Sequence, residues 1–486
     1  MSIDPGLRRL VLGTVLAAFP GTTPPDWAPR LLADGLAGYT LFGSNIADQA
    51  QVAALTRVLR QARPDTVVAI DEEGGDVTRL AHTTGSPYPG NAALGVVNDP
   101  ALTRQVYRAI GAELALVGIT LNLAPTVDVN IAADNPIIGT RSFGAEAATV
   151  SPHSAAAVQG LQEVGVAACA KHFPGHGATV IDSHDSLPVL DDPLSVLRDR
   201  DLPPFAAAIG AGTQAIMTAH IRVPELTGAD PATFSSAALV DLLRREFGFT
   251  GAVVTDALDM AGAAATAGGL PAAAVRALAA GSDLLCLGAE VDAELVEVLV
   301  AAVTAAIAGG ELATSRVEQA VERVAALTAW TRANATPEPV VPELSDLGYD
   351  VARRAIRVEG SLAALAAGVG PLVVQLESGS TIAEGKVPWG LAPHVPGVVH
   401  LAAAEASTDQ VRALAGDRPV IVVSRHLHRS PALRTLVEKL VTDHPTVVVE
   451  MGWPSTWRPA GTDAFVTTHG ASHANGAALA RTLALR

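Results

Sequence analysis

Short apolar runs alternate with longer amphipathic stretches along most of the chain. The runs RLVLGTVLAAF, GYTLFG, VVAID, ITLNLAP, VAACAKHF, AIMTAHI, AVVTDA and DLLCLG all fall before residue 290. Each has strand length. The alanine-rich segments between them, such as ALTRQVYRAIGAELALVG and VSPHSAAAVQGLQEVG, repeat their apolar positions at helical spacing. Eight strand–helix alternations predict a (β/α)8 TIM-like barrel over residues 1–330. The prolines and acids of NATPEPVVPELSD predict a linker at 331–345. Beyond it PLVVQLE, VVHLA, PVIVVSR, TVVVEMG and AFVTTHG alternate with helical segments and predict a smaller open α/β sandwich over 346–486.

Polar residues gather at the C-terminal ends of the barrel runs. Asp71 ends the third, Lys171 and His172 the fifth, His220 the sixth and Asp256 the seventh. In a barrel those ends converge on one mouth, which makes them candidates for an active site.

Composition narrows the classes. A formal net charge of -16 argues against nucleic acid and anionic membranes as partners. No apolar run reaches the roughly 18–20 residues of a membrane span. The two cysteines, Cys169 and Cys286, lie in apolar strand-like runs and read as buried thiols, so nothing requires an oxidising compartment. RRLVLGTVLAAF has the charge and apolar run of a signal peptide, but no clean small-x-small site follows it. It reads as a first strand, and a cytoplasmic location is expected. The chain has three lysines, and Lys171 is the one lysine in its first 385 residues. A chain that otherwise uses arginine there suggests a site that wants a compact ammonium group.

Lys171 opens the stretch KHFPGHGATVIDSH. Gly175 and Gly177 are expected to let this loop move. Asp182 and His184 stand two residues apart, so an extended backbone would point both the same way, the carboxylate orienting the imidazole. Asp256, in VVTDALDM, suits a nucleophile held on a rigid strand end, or equally a helix N-cap.

Four ordered motifs carry a resemblance. KHFPGHG with DSH, DEEGGDVTRL, NPIIGTRSFG and VVTDALDM resemble the corresponding segments of the β-N-acetylglucosaminidase branch of glycoside hydrolase family 3. The resemblance implies that Asp256 is the nucleophile, His184 the general acid/base and Asp182 its partner. It implies sugar contacts by Asp71, Arg79, Arg141, Lys171 and His172. Asp76, Glu72 and Ala178 depart from the family pattern, and Asp76 is expected to alter the charge near the entrance. The implied activity is a retaining exo-β-N-acetylglucosaminidase acting on a small carbohydrate, either cell-wall fragments or chitooligosaccharides. No cofactor and no metal are expected.

A histidine acid/base is neutral once it has given up its proton. It therefore does not repel an incoming anion, and inorganic phosphate is expected as an acceptor beside water. The alternatives are a β-glucosidase of the same family, a metal-dependent amidohydrolase and an inactive sugar-binding protein. The amidohydrolase needs an HxH pair after the first strand, where this chain has FPGTTPP. The intact Asp256, Asp182 and His184 speak against the binding protein.

Overall fold

The computed structural model describes residues 4–184, 186–336, 344–366 and 370–485. They form two compact units.

The first unit is built on eight strands: β1 (Val15–Ala17), β2 (Gly38–Leu41), β3 (Val67–Ile70), β4 (Leu121–Asn122), β5 (Ala167–Phe173), β6 (Ala215–Thr218), β7 (Ala252–Thr255) and β8 (Leu285–Cys286). All pair in parallel, in the order β7-β6-β5-β4-β3-β2-β1-β8. A bridge between Val254 and Leu284 closes the ring, with Thr255 N donating to Leu284 O at 3.0 Å. The expected barrel is present.

Its interior explains where the chemistry sits. Val67 and Ala69 of β3, Ala167 and Cys169 of β5, and Ala252 and Val254 of β7 belong to one buried cluster. Side chains alternate faces along a strand, so these residues mark the in-facing column of each. The next in-facing positions, at the C-terminal ends, are Asp71, Lys171 and Asp256. Both cysteines are free and buried, and burial pushes the Cys286 thiol up to about 12.

The N-terminal run is not one strand. Pro5–Leu12 is a helix with proline in its first turn, and the Asp4 side chain caps it by accepting from Leu7 N at 2.9 Å. Strand begins only at Val15.

The second unit carries β9 (Arg357–Gly360), β10 (Leu372–Glu377), β11 (Val399–Ala402), β12 (Val420–Ser424), β13 (Thr446–Glu450) and β14 (Ala464–Thr467). Their order is β11-β10-β12-β13-β14-β9, with β9 antiparallel to β14 and the rest parallel. Val420 and Val422 pack into one apolar cluster while Ile421 and Val423 pack into another, so the sheet is buried on both faces.

The continuous 1–330 barrel unit needs correcting. Glu73–Asp99, after β3, and Ile137–Gly144, after β4, belong to the second unit. Gly348 shows why: a Cβ there would lie 1.9 Å from Pro87 O, so the helix Leu344–Ala355 rests directly on the first excursion. Of the linker expected at 331–345, residues 337–343 lie outside the described residues, and its start is taken up by the helix Thr314–Ala333.

Candidate active site

Lys171 and Asp71 leave the interior columns of β5 and β3, on either side of β4, and meet at the mouth. Lys171 Nζ lies 2.6 Å from Asp71 Oδ1, and the lysine side chain is almost wholly buried. Sequence reasoning treated them as separate sugar contacts. In the structure they are one ion pair, so each fixes where the other's remaining hydrogen-bonding capacity points.

The β5–β6 register shifts between Ala170 and Phe173, and this irregularity lets the neighbouring residues Lys171 and His172 both serve the site. His172 Nδ1 pairs with Asp128 Oδ2 at 2.7 Å. Asp128 Oδ1 accepts from the backbone N–H groups of His172, at 3.2 Å, and His176, at 2.7 Å. This fully buried carboxylate was missed from the sequence. Its only signal there is an acid inside the apolar stretch NLAPTVDVN.

His176 holds the following loop. Its Nδ1 meets Thr179 Oγ1 at 2.7 Å and its Nε2 meets Ser183 Oγ at 3.0 Å. Burial first, and His172 second, push this imidazole down to about 4, so it is neutral. The glycines beside it do not act as free hinges. A Cβ on Gly177 would sit 2.0 Å from Val129 O, and one on Gly175, with φ at 129°, would meet Asp201 Cβ at 2.7 Å. Their role is close backbone approach.

Asp182 and His184 pair as expected, but through a turn and not an extended strand. Asp182 Oδ1 accepts from His184 N at 2.9 Å and from His184 Nδ1 at 2.7 Å. This is the Asx-turn geometry of a short acidic side chain bonding two residues onward. Burial works to raise the Asp182 carboxyl, but the His184 side chain and backbone hydrogen bonds outweigh it and hold it below its ordinary value. With Nδ1 taken by Asp182, the His184 ring carries Nε2 on the side away from that carboxylate.

The loop rests on the segment after Asp256. Gly262 N donates to Ser183 O at 3.2 Å and Ala261 N to His184 O at 3.4 Å. These N–H groups open the helix Ala261–Ala267 and have no partner within it.

Asp256 is not that helix's cap, since Met260 occupies the cap position. Its Oδ1 accepts from Ala257 N at 2.8 Å. Burial works to raise its pKa, but the imidazoles of His172, His220 and His184, in that order, together with the Ala257 N–H, bring it down to about 2. Asp256 is thus an anion kept ionised among imidazoles. His220 is a support. Its Nε2 meets Ala257 O at 3.0 Å and its Nδ1 meets Thr233 Oγ1 at 2.8 Å, which suits the neutral ring that burial favours.

Arg79 and Arg141 lie in the second unit's excursions. There Arg141 makes a two-pronged bond to Glu73, at 2.9 and 2.8 Å, and donates to Ile137 O at 2.9 Å, while Arg79 donates to Ala383 O at 2.9 Å. Asp76 is corrected: it is no exposed entrance charge. It is buried, accepting from Thr140 Oγ1 at 2.7 Å and Ala471 N at 2.8 Å, and its pKa is raised by burial first and by Glu384 second. Among the described residues no group of three or more His, Cys, Asp or Glu side chains is arranged to hold a metal ion.

Residues 22–327 match the glycosyl hydrolase family 3 N-terminal domain. A β-hexosaminidase A from Pseudoalteromonas piscicida is 38% identical over 262 residues, covering 50% of this chain and 44% of that protein, so the match spans less than half of that relative. A β-hexosaminidase from Stenotrophomonas maltophilia is 37% identical over 282 residues, covering 57% of this chain and 81% of its own. A family 3 β-N-acetylglucosaminidase structure from Paenibacillus sp. FPU-7 aligns at 30% identity with a TM-score of 0.87, over 98% of this chain and 96% of that one. With the matching domain spanning the barrel and the mouth residues in place, the chain belongs to glycosyl hydrolase family 3.

Proposed function

We propose that the protein is a retaining exo-β-N-acetylglucosaminidase. The reading rests on one observation above the others: a His–Asp pair, joined at 2.7 Å, sits on a loop that rests on the segment following a separate, ionised carboxylate. The names of the relatives, β-hexosaminidases and a β-N-acetylglucosaminidase, support the same substrate class.

In the first step Asp256 attacks the anomeric carbon while His184 Nε2–H protonates the departing glycosidic oxygen. The products are a glycosyl ester of Asp256 and the free alcohol. In the second step neutral His184 takes a proton from water, whose oxygen displaces the ester and releases the sugar with its configuration retained. Asp182 orients the ring and stabilises its charged form. The Asp71–Lys171 pair and His172 contact sugar hydroxyls, and Arg79 and Arg141 are proposed sugar contacts by family resemblance. Cell-wall fragments and chitooligosaccharides are the proposed natural substrates.

Phosphate is the second proposed acceptor. A carboxylate acid/base would be an anion at this stage, and at about 4 Å and an effective dielectric near 20 each pair of unit charges repels by roughly 4 kcal/mol. Neutral His184 removes that term, so phosphate can attack and yield the sugar 1-phosphate.

Time-resolved NMR of an aryl β-N-acetylglucosaminide tests both parts, with and without phosphate at fixed ionic strength. The β-anomer is expected first, with the sugar phosphate growing as phosphate is raised. The α-anomer first would refute Asp256 as nucleophile. Free sugar at every phosphate concentration would refute the second acceptor.

A further inference from the structure

The second unit has a crevice of its own. Its parallel strands run β11-β10-β12-β13-β14, so the chain turns to one side after β10 and to the other from β12 onward. In open α/β sheets, the gap outside the C-terminal ends of two such strands is where ligands bind. Here a cavity of about 420 Å³ lies at that gap, lined by Glu377 and Ser378 at the end of β10 and Arg425 just past β12. The volume falls in the usual range for small-molecule pockets, roughly 300–1,000 Å³.

The lining is mixed. Part of it is apolar, formed by Val387, Pro388, Pro393 and the half-buried indole of Trp389. The rest is polar, and its acceptors are largely committed. Glu377 Oε1 takes hydrogen bonds from Gln375 Nε2 at 3.0 Å and His400 Nδ1 at 2.6 Å, and Gln375 Oε1 takes one from Leu391 N at 3.2 Å. Its donors are less committed. Arg425 is 6% exposed and stacks over Trp389 at 4.5 Å. Its Nη1 reaches Glu384 only at 3.3 Å, and its Nε is buried with no hydrogen-bond partner. A buried guanidinium N–H left unmatched is costly unless something arrives to accept from it. Lys386 lines the same cavity with its side chain exposed.

A crevice in which spare donors lie beside an aromatic ring, as in the stacked Arg425–Trp389 pair, selects a ligand with an anionic group next to an apolar ring face. We propose that it binds a sugar bearing an oxyanion, its ring face against Trp389 and its carboxylate or phosphate held by Lys386 and Arg425. Glu384 and Glu377 are opposing charges nearby, and buried Asp76, within electrostatic reach of Arg425, is a third. Glu384 is already turned to Arg425, and Glu377 to His400, so the ligand's anion need not displace either.

Calorimetric titration of the full-length Asp256→Asn protein, which removes turnover, tests this with four probes: glucuronate, glucose 1-phosphate, inorganic phosphate and methyl β-glucoside. The acid and the sugar phosphate are expected to bind, and the neutral glucoside at least about tenfold more weakly. Lys386→Gln, an exposed position that leaves the fold alone, and Trp389→Ala should each weaken the bound probe by about tenfold or more. Preference for glucuronate assigns the anion as a sugar carboxylate, and preference for glucose 1-phosphate as a sugar phosphate. Inorganic phosphate binding as tightly as glucose 1-phosphate would overturn ring recognition. Unchanged affinity in Lys386→Gln, or no binding of either anionic sugar at millimolar concentration, would overturn the site.

Discussion

Replacing Asp128 with asparagine should disable the site without touching the proposed nucleophile or the acid/base. The carboxylate is fully buried and accepts hydrogen bonds from His172 N, His176 N and His172 Nδ1. An asparagine keeps one acceptor oxygen and gains an NH2 donor. If its oxygen takes the two backbone N–H groups, the NH2 faces His172 Nδ1, and the ring must carry its proton on Nε2 instead. If the amide turns over, the NH2 faces two donors. Either way a charge-assisted bond is lost.

Bonds of that kind contribute about 1.5–3 kcal/mol. A factor of ten in rate is about 1.4 kcal/mol, so kcat/KM should fall roughly 10- to 100-fold. A pH effect accompanies it. His172 is the first of the imidazoles that hold Asp256 at about 2, ahead of His220 and His184. With Asp128 neutral, no carboxylate is left to support positive charge on that ring, so its pull on Asp256 weakens and burial drives the Asp256 pKa upward. As the proposed nucleophile Asp256 works as an anion, so activity is expected to be full well above its pKa and lost as pH falls through it. The acid limb of kcat/KM should therefore move up by about one pH unit or more in the variant. Nitrogen-15 NMR of the histidine rings reports the tautomer directly. An unshifted acid limb, with His172 still carrying its proton on Nδ1 and wild-type kcat/KM, would refute the reasoning.

Four further outcomes are expected. His184→Ala should be severely impaired with a poor leaving group and much less so with an activated phenol, because little protonation is then needed; equal losses across leaving groups, measured by steady-state kinetics, would exclude the acid role. Lys171→Arg should lose activity by about tenfold or more despite its retained charge, since the planar fork cannot reproduce the 2.6 Å point contact with Asp71; near-wild-type kinetics would show the ammonium to be incidental. Gly262→Ala should lower kcat with no loss of thermal stability, as alanine favours a helix but its Cβ would lie 3.0 Å from Ser183 O and 3.1 Å from His220 Cβ, so the loop must retreat; unchanged kcat would show that the loop's seat is unimportant. Unfolding free energy should fall as pH drops from roughly 6.5 towards 4, because the unfolded His176 imidazole takes up a proton that the buried one, with its pKa near 4, refuses. His176→Asn should flatten that slope, and an equal slope in the variant would remove His176 as its source.

The barrel and its mouth were legible because a strand's period of two needs no partner to be read. The columns 67–69–71, 167–169–171 and 252–254–256 are apolar until their last member, and that member is the polar one. Arg357–Gly360 escaped because it is exposed throughout and shows no apolar face. The helix Pro5–Leu12 was hidden because its apolar residues run on into β1, and the cap at Asp4 is a weaker signal than the run. Nothing local marks Glu73–Asp99 for the second unit, since the close fit of Gly348 on Pro87 joins residues far apart in sequence. Asp128 went unseen for a related reason: its partners are on β5 and the loop that follows, so its role exists only once the strands are closed into a ring.

The seat of the Asp182–His184 loop has a kinetic consequence. Its described contacts include two long backbone hydrogen bonds, at 3.2 and 3.4 Å, and the 3.0 Å contact of Ser183 with His176. Bonds of this kind contribute only about 0.5–1.5 kcal/mol each, so a segment seated through them belongs to the part of a fold that opens locally. Loop motions take nanoseconds to microseconds, short against a typical turnover, so a loop seated this way can lift and reseat many times within one. During the lifetime of the proposed glycosyl ester the spent alcohol can then drift out and a different acceptor drift in, while the sugar stays anchored to Asp256. The choice of acceptor becomes a contest of concentrations in the surrounding solution, settled afresh each time the loop opens.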